Sequence, residues 1–419
     1  MQRLKPKSEF SRNVLTLMTG ATIAQAIPIA ITPILTRLYT PEDFGVLALF
    51  IAITTILGSI ANGRYELAIL LPEKDEDAIN IAAIGLLIAA TFSFTLLLLT
   101  IIFKQQIANL LGNQDIEFWL YFVPFVVLMM GLFNILNYLN TRKKLYKDIA
   151  KSNVYKSVGM SSVQLGVGFV KSGATGLISG QILAQIISNY RLAKNAKSYY
   201  DTSTVNLPEI KRLAKRYQDF PNFSMWAVLA NSLSYNLINI LISIYYSIAT
   251  LGYYSLSQKM LGIPATLIGS SIGQVYFQKA IIEKQRTGKV VNTFNKTSKK
   301  LLILSIAMFT PLYFILPTVF EIIFGKEWGI AGAYGQIILP FVAVQFVAAA
   351  LSNTNNIFEK QKIALLWQIG LLILSIGIML YSILLQVEFF EFLKIFSVSL
   401  FCYYGLLLFI LWKVSQGKL

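Results

Sequence analysis

The sequence contains no histidine and a single cysteine, Cys402, among its 419 residues. One cysteine cannot form an internal disulfide, and the cysteine and histidine ligands of a structural zinc are missing. Histidine-based acid–base catalysis and cysteine–histidine or serine–histidine nucleophilic chemistry are excluded for the same reason. No metal site and no cofactor are therefore predicted.

Charged residues are also scarce. They make up 13% of the chain, whereas a soluble domain carries about a quarter. Negatively charged residues are the rarer kind, with 20 Asp and Glu against 36 Lys and Arg. Hydrophobic residues make up 55% of the chain. This composition excludes an ordinary soluble domain and predicts a protein that crosses the membrane several times.

Apolar runs long enough to cross a bilayer, about 20 residues each, occur twelve times. They predict an all-α integral membrane protein with twelve transmembrane helices. The first run is too long for a signal-peptide core and lacks a small-residue cleavage site, so we expect it to be retained. The approximate limits are 13–38, 44–63, 78–103, 118–139, 153–170, 175–190, 222–248, 252–277, 301–320, 331–357, 363–385 and 392–412.

Basic residues concentrate in alternate loops, and this bias predicts the orientation. The basic N-terminus, the cluster 142–151, the middle of the chain and positions 279–300 fall on one side. By the positive-inside rule this side is cytoplasmic, as are both termini. The net charge of +16 lies mostly beside the spans, where it sets topology and meets anionic lipid, so no nucleic-acid partner is expected.

A basic polar interval, 191–219, divides the chain into two halves that show weak sequence similarity to each other. Tyr39 and Tyr246 begin similar stretches at an offset of 207. A second offset, 216, carries Pro124, Asn137, Asn140 and Lys144 onto Pro340, Asn353, Asn356 and Lys360. We expect two pseudo-symmetric six-helix lobes, 1–195 and 220–419, joined by a basic cytoplasmic linker, 196–219.

Charges inside the spans are functional candidates because they are costly there. Lys259 lies seven residues into the eighth run, on a face with Ser255 and Gly262, and it either faces a cavity or snorkels to the outer headgroups. Arg37 and Arg64 are weighed as cavity cations or as interfacial anchors. All twenty acids fall in loops or at helix ends, so the core is expected to hold no carboxylate.

Polar side chains recur on one face of several predicted helices. In a membrane bundle they form either interhelical hydrogen bonds or the lining of a hydrophilic cavity. Because equivalent helices of the two halves carry the same stripes, we expect a polar cavity between the halves. The candidate lining residues are Gln25, Asn137, Asn231, Tyr235, Asn239 and Asn353.

Two stretches, LTRLYTPEDFGVLALF and NGRYELAILLPEKDEDAINIAAIG (62–85), resemble connections of bacterial polysaccharide repeat-unit flippases. These are the O-antigen, Wzx-type branch of the multidrug/oligosaccharidyl-lipid/polysaccharide (MOP) exporter superfamily. The resemblance implies a MATE-like, two-lobed fold in the bacterial inner membrane and a function in lipopolysaccharide or other polysaccharide biosynthesis. It assigns the family's cationic lumen best to Lys259 and Arg37 and less directly to Arg64.

The implied activity is transfer of an undecaprenyl-diphosphate-linked oligosaccharide from the cytoplasmic to the periplasmic leaflet by alternating access. A monomer suffices, with a polysaccharide polymerase and a chain-length regulator as implied partners. A cation-coupled multidrug exporter shares the fold, but it resembles proteins with a membrane-buried acid. An O-antigen polymerase or ligase is disfavoured because no outer loop is long enough for a catalytic domain, so a transporter and not an enzyme is expected.

Overall fold

The computed structural model describes residues 9–171 and 173–418, and these residues form two compact units that divide between Ile248 and Ala249. The basic residues of positions 1–8, part of the orientation argument, lie outside the described residues. Every regular element in the described ranges is helical. The predicted boundaries of lobes and linker stay a prediction, since the units are defined by packing alone.

The first unit contains nine α-helices, most of them longer than a bilayer is thick. They are α1 (Glu9–Leu38), α2 (Pro41–Gly58), α3 (Asp75–Leu110), α4 (Ile116–Leu120), α5 (Val123–Arg142), α6 (Tyr146–Gly168), α7 (Thr175–Tyr199), α8 (Leu207–Arg216) and α9 (Met225–Tyr245). A 3-10 helix, Tyr65–Leu70, joins α2 to α3. A π-helical turn, Phe220–Ser224, precedes α9 and contains Pro221, whose missing N–H favours such a widened turn.

Seven further helices build the second unit. They are α10 (Ile248–Pro264), α11 (Ser270–Thr287), α12 (Val291–Phe324), α13 (Gly329–Leu351), α14 (Asn353–Ile357), α15 (Gln361–Leu384) and α16 (Phe389–Ser415). The predicted eighth span is two helices, because Pro264 ends α10 and a π-helical turn, Ala265–Gly269, leads into α11. Helix α13 packs against α11, α12 and α16 and is the most enclosed element of this unit.

Ten stretches of the described chain are long and apolar enough to cross a membrane. They coincide with ten of the twelve predicted runs. The other two predicted runs form α6 and α7, which carry too many polar residues to qualify. The structure therefore establishes an all-α protein with ten candidate spans, and the count of twelve stays a prediction.

Helices α6 and α7 form an antiparallel hairpin inside the first unit. Ser152 Oγ donates to Ser188 O, and at the other end Gln164 Nε2 donates to Leu177 O, both over 3.1 Å. Helix α6 also runs parallel to α1, since Gly20 meets Ala150 and Tyr39 Oη donates to Gln164 O over 2.6 Å. Polar hydrogen bonds therefore join α6 to α7 at both ends of the hairpin.

Candidate functional site

The turn that follows α2 holds a buried ion pair. Arg64 adopts a left-handed backbone conformation (φ 65°) at the start of the 3-10 helix. This conformation turns the chain back into the unit, and the Glu66 side chain is only 3% exposed as a result. Arg64 Nη1 lies 3.0 Å from Glu66 Oε1. The expectation of a core without carboxylates is therefore wrong, because this loop does not leave the protein.

The polar atoms around this pair are incompletely bonded. Asn62 Nδ2 donates to Gly85 O over 3.2 Å. Among the described residues, Asn62 Oδ1, Arg64 Nε and Glu66 Oε2 are buried without a hydrogen-bond partner. Burial raises the pKa of Glu66, and the nearby Arg64 guanidinium opposes that rise.

Arg142 fastens the loop that carries this pair. Its guanidinium, at the end of α5, donates to the carbonyl oxygens of Ile69 (3.2 Å), Pro72 (2.7 Å) and Glu73 (2.9 Å). Its Nε lies 2.8 Å from Asp75 Oδ1, and the Lys143 ammonium contacts the same carboxylate. Five N–H donors in one plane suit this multiple role. The basic cluster after α5, predicted only to set topology, thus also positions Arg64 and Glu66.

Arg37 and Gln25 both lie on α1 with exposed side chains. Arg37 donates to Pro33 O within its own helix, a carbonyl that also accepts from the Thr36 hydroxyl. Asp43, an acid six residues after Arg37, forms a capping box with Thr40 at the start of α2. The assignment of Arg37 as an anchor or a cavity cation stays open.

Three predicted lining residues of α9, Asn231, Tyr235 and Asn239, are spaced four apart and therefore share a face. Tyr235 is 42% exposed, whereas Asn231 and Asn239 are half-buried. Asn239 Oδ1 is buried without a hydrogen-bond partner in the described part of the chain. On a neighbouring face Ser232 Oγ donates weakly to Thr55 O of α2, over 3.4 Å. The three predicted lining residues therefore lie beside the packed face of α9 and not within it.

Lys259 is exposed on α10, eleven residues from the start of the helix, which corresponds to about 16 Å along the axis. One turn later, a side chain added at Gly262 would meet no atom within 4 Å. The face with Lys259 is thus open. Asn353, the other candidate of the second unit, is half-buried in α14 and accepts from Asn356 Nδ2 over 3.2 Å.

The structure also shows a cation that sequence reasoning missed. Lys156 lies in α6, and its Nζ is 3.3 Å from Gln185 Oε1 of α7. The same ammonium lies 5.1 Å from the ring centroid of Phe133 on α5. Asn137, a predicted lining residue, is half-buried on the same face of α5 as Phe133. Lys156 stands near the start of the fifth predicted apolar run, 153–170, but the helix itself begins ten residues before Lys156, at Tyr146.

Comparisons with known proteins give the chain its relatives. The family described as "Polysaccharide biosynthesis protein" matches residues 34–331. The succinoglycan biosynthesis transport protein ExoT of Rhizobium meliloti (strain 1021) is 22% identical over 348 residues, covering 80% of this chain and 65% of that protein. This chain therefore spans less than two thirds of the relative's length.

Solved structures share the fold at low identity. The lipid II flippase MurJ in an inward closed conformation superposes with a TM-score of 0.72 at 12% identity, covering 96% of this chain and 89% of that one. An inward-facing multidrug resistance MATE family transporter of the MOP superfamily gives 0.64 at 13% identity, covering 95% and 96%. The resemblance inferred from two loop motifs is confirmed at the level of the polysaccharide biosynthesis protein family and of the MOP-superfamily fold.

The family match covers well over half of the chain, and the fold and the ten apolar spans agree with it. The chain belongs to the polysaccharide biosynthesis protein family, and it shares the MOP-superfamily fold, with ten candidate membrane spans among its described residues.

Proposed function

We propose that this protein is a flippase that moves undecaprenyl-diphosphate-linked oligosaccharide repeat units from the cytoplasmic to the periplasmic leaflet by alternating access. The family match carries the proposal: the matching family is described as acting in polysaccharide biosynthesis. The fold, which is shared with a lipid II flippase, supports it. The names of two relatives agree in kind, one a succinoglycan transport protein and the other a lipid II flippase. O-antigen assembly is the branch that the loop motifs favour.

The substrate class explains the cations. A lipid diphosphate carries negative charge that must cross a low-dielectric layer, where a fixed cation lowers the energy and a facing acid would raise it. Lys259 supplies such a cation on an open face of α10, and Arg37 and Arg64 are further candidates. Gln25, Asn137, Asn231, Tyr235, Asn239 and Asn353 are the proposed sugar contacts.

We propose that α6 and α7, the two predicted runs that are too polar to count among the ten candidate spans, also cross the membrane, giving twelve. Helix α6 lies beside the candidate span α1 over most of its length, from Gly20 to Tyr39, so it covers the same depth. With both termini cytoplasmic in the bacterial inner membrane, the basic cluster after α5 then lies inside. A polymerase and a chain-length regulator are the proposed partners.

A cation-coupled multidrug exporter is the second candidate, and Glu66 is the observation that favours it. Such an exporter was disfavoured because no buried acid was expected, and Glu66 is a buried acid. Its partner Arg64 would repel a cationic drug at this position. The two candidates differ in substrate charge, so they predict opposite effects of removing a transport-site cation.

The deciding experiment locates the lipid-linked glycan in cells that lack this protein. Wild type and Lys259→Arg are expected to restore periplasmic glycan, and Lys259→Ala to lower export by roughly tenfold or more, as loss of a charged contact implies. Lys289→Ala, which removes an exposed loop lysine, is the matched control. Unchanged export without the protein would overturn the flippase proposal, and full activity of Lys259→Ala would overturn the role of Lys259.

A further inference from the structure

Lys156 lies deep in the first unit, far from either end of its helix. It is ten residues from the start of α6, about 15 Å along the axis. Because α6 runs parallel to α1 with Ala150 beside Gly20, Lys156 is level with the region of Gln25. This region is near the middle of the candidate span Thr16–Leu38. A lysine side chain is too short to carry its ammonium from there to a headgroup layer.

The contacts of Lys156 neutralise none of its charge. Among the described residues no carboxylate oxygen lies within 4.0 Å of its Nζ. Its partners are the neutral oxygen of Gln185 and the face of the Phe133 ring. A half-buried ammonium at this depth without a counter-charge is costly, and such residues are functional by default.

The surroundings of Lys156 suit an oxyanion. When Gln185 accepts from Lys156 through Oε1, its amide N–H groups remain donors beside the same position. Asn137 lies one turn from Phe133 on α5, and Gln25 lies at the same depth on α1. The Lys156 ammonium together with the Gln185 amide N–H groups can bind phosphate oxygens, whereas a carboxylate in this position would repel them.

We infer that Lys156 and Gln185 form a binding site for the diphosphate of the lipid-linked substrate, midway across the first unit. This inference rests on the proposed function and deepens it, because it places an anion-binding step on α6 and α7. It also accounts for the polarity of the hairpin, which exceeds that of the other long helices of the first unit. Of the two possible sources of a diphosphate, lipid-linked and inorganic, the site serves the lipid-linked one.

Binding of farnesyl diphosphate to the purified full-length protein in detergent tests the site, with farnesol and inorganic pyrophosphate as comparison ligands. We expect farnesyl diphosphate to bind more tightly than either. Lys156→Met should weaken its binding by roughly tenfold or more, and Lys156→Arg should retain it. Lys151→Met, which removes an exposed lysine from the same helix, is the matched control.

Gln185→Glu separates binding from structure. The introduced carboxylate would pair with Lys156 within the unit, so the thermal stability of the protein should hold or rise while diphosphate binding is lost. Normal binding by Lys156→Met or by Gln185→Glu would overturn the site and leave the flippase proposal intact. Failure of the wild type to prefer farnesyl diphosphate over farnesol would overturn both, and equal affinity for inorganic pyrophosphate would overturn the lipid-linked source.

Discussion

Glu66 lies in a loop by sequence and in the interior by structure, and its ionisation therefore bears on stability. Because burial raises the pKa of Glu66 above its ordinary 4.5, the folded protein holds this proton more tightly than the unfolded chain. That contribution to stability is complete below pH of about 4.5 and is lost as pH rises through the raised pKa. Arg64 limits the loss without reversing it.

We predict that Glu66→Gln removes this pH dependence. The thermal midpoint of the wild type in detergent should fall relative to that of the variant as the pH is raised from 4 to 8, since the variant has no proton to lose. Glu73→Gln changes an exposed acid of the same loop and should follow the wild type. A constant difference between wild type and Glu66→Gln across this range would contradict the assignment.

Gly176 shows how closely the hairpin approaches Tyr39. A Cβ at Gly176 would lie 2.0 Å from Tyr39 Oη, and Tyr39 is only 3% exposed. We predict that Gly176→Ala destabilises the protein by about 1–3 kcal/mol, because the ring must move and lose its bond to Gln164 O.

Gly166→Ala provides the comparison within α6, because nothing lies within 4 Å of the added carbon. Alanine there should stabilise the helix by up to about 1 kcal/mol. Thermal unfolding of both variants in the same detergent measures the difference. Similar midpoints for the two would show that the close approach to Tyr39 does not limit stability.

Helix α8 is the element whose packing the sequence predicted least well. It was predicted as part of a polar linker, yet it packs on α3. Leu213 is fully buried there, Tyr65 Oη donates to Ala214 O over 2.9 Å, and Arg212 pairs with Asp77. Asn80 of α3 also bonds the chain just before α8, at Thr204 O and at the N–H of Asn206.

We predict that Leu213→Ala releases α8 from α3. Truncating a buried leucine costs about 2–5 kcal/mol, which is enough to expose the basic residues of α8 to trypsin. Leu207→Ala makes the same chemical change at a position that is 61% exposed and should leave cleavage unchanged. Limited proteolysis of both variants is the measurement, and equal cleavage rates would contradict docking through Leu213.

The internal repeat is also corrected at this scale. Helices α5 and α14 end with the same pair of hydrogen bonds and a left-handed residue, Lys144 in one and Glu359 in the other. In the first motif the Leu145 N–H donates to Asn140 O, and in the second the Lys360 N–H donates to Asn355 O. The structural offset is therefore 215 at these helix ends and not the 216 read from matching letters.

For the molecule as a whole, the number of spans decides where each loop lies. With twelve spans, Lys147 and Lys289 face the cytoplasm, and Gln114 and Lys171 face the outside. If α6 and α7 did not cross, Lys171 would join Lys147. In a Cys402→Ser background, single cysteines at Gln114 and Lys171 should react with a membrane-impermeant maleimide in intact cells. Cysteines at Lys147 and Lys289 should react only after permeabilisation, and the same pattern at Lys171 would contradict twelve spans.

The sequence by itself determined the class of this protein, because apolar runs of bilayer length and a basic bias between them need no tertiary information. It also indicated the family through two loop motifs, and it singled out Lys259 as a candidate because a charge inside an apolar run is costly. The sequence did not single out Lys156, because the residues around it are polar and resemble a helix end. It did not single out Glu66 either, because in sequence this acid resembles an ordinary loop carboxylate.

Only the tertiary structure decided which of these charges are enclosed. Glu66 is buried because a left-handed Arg64 turns the chain inward and Arg142 holds the loop there. Lys156 is deep because α6 begins early and lies along α1. How deeply a residue is buried depends on which helices pack around it. The hydrophobic pattern of a single segment does not identify those helices, so it cannot predict this burial.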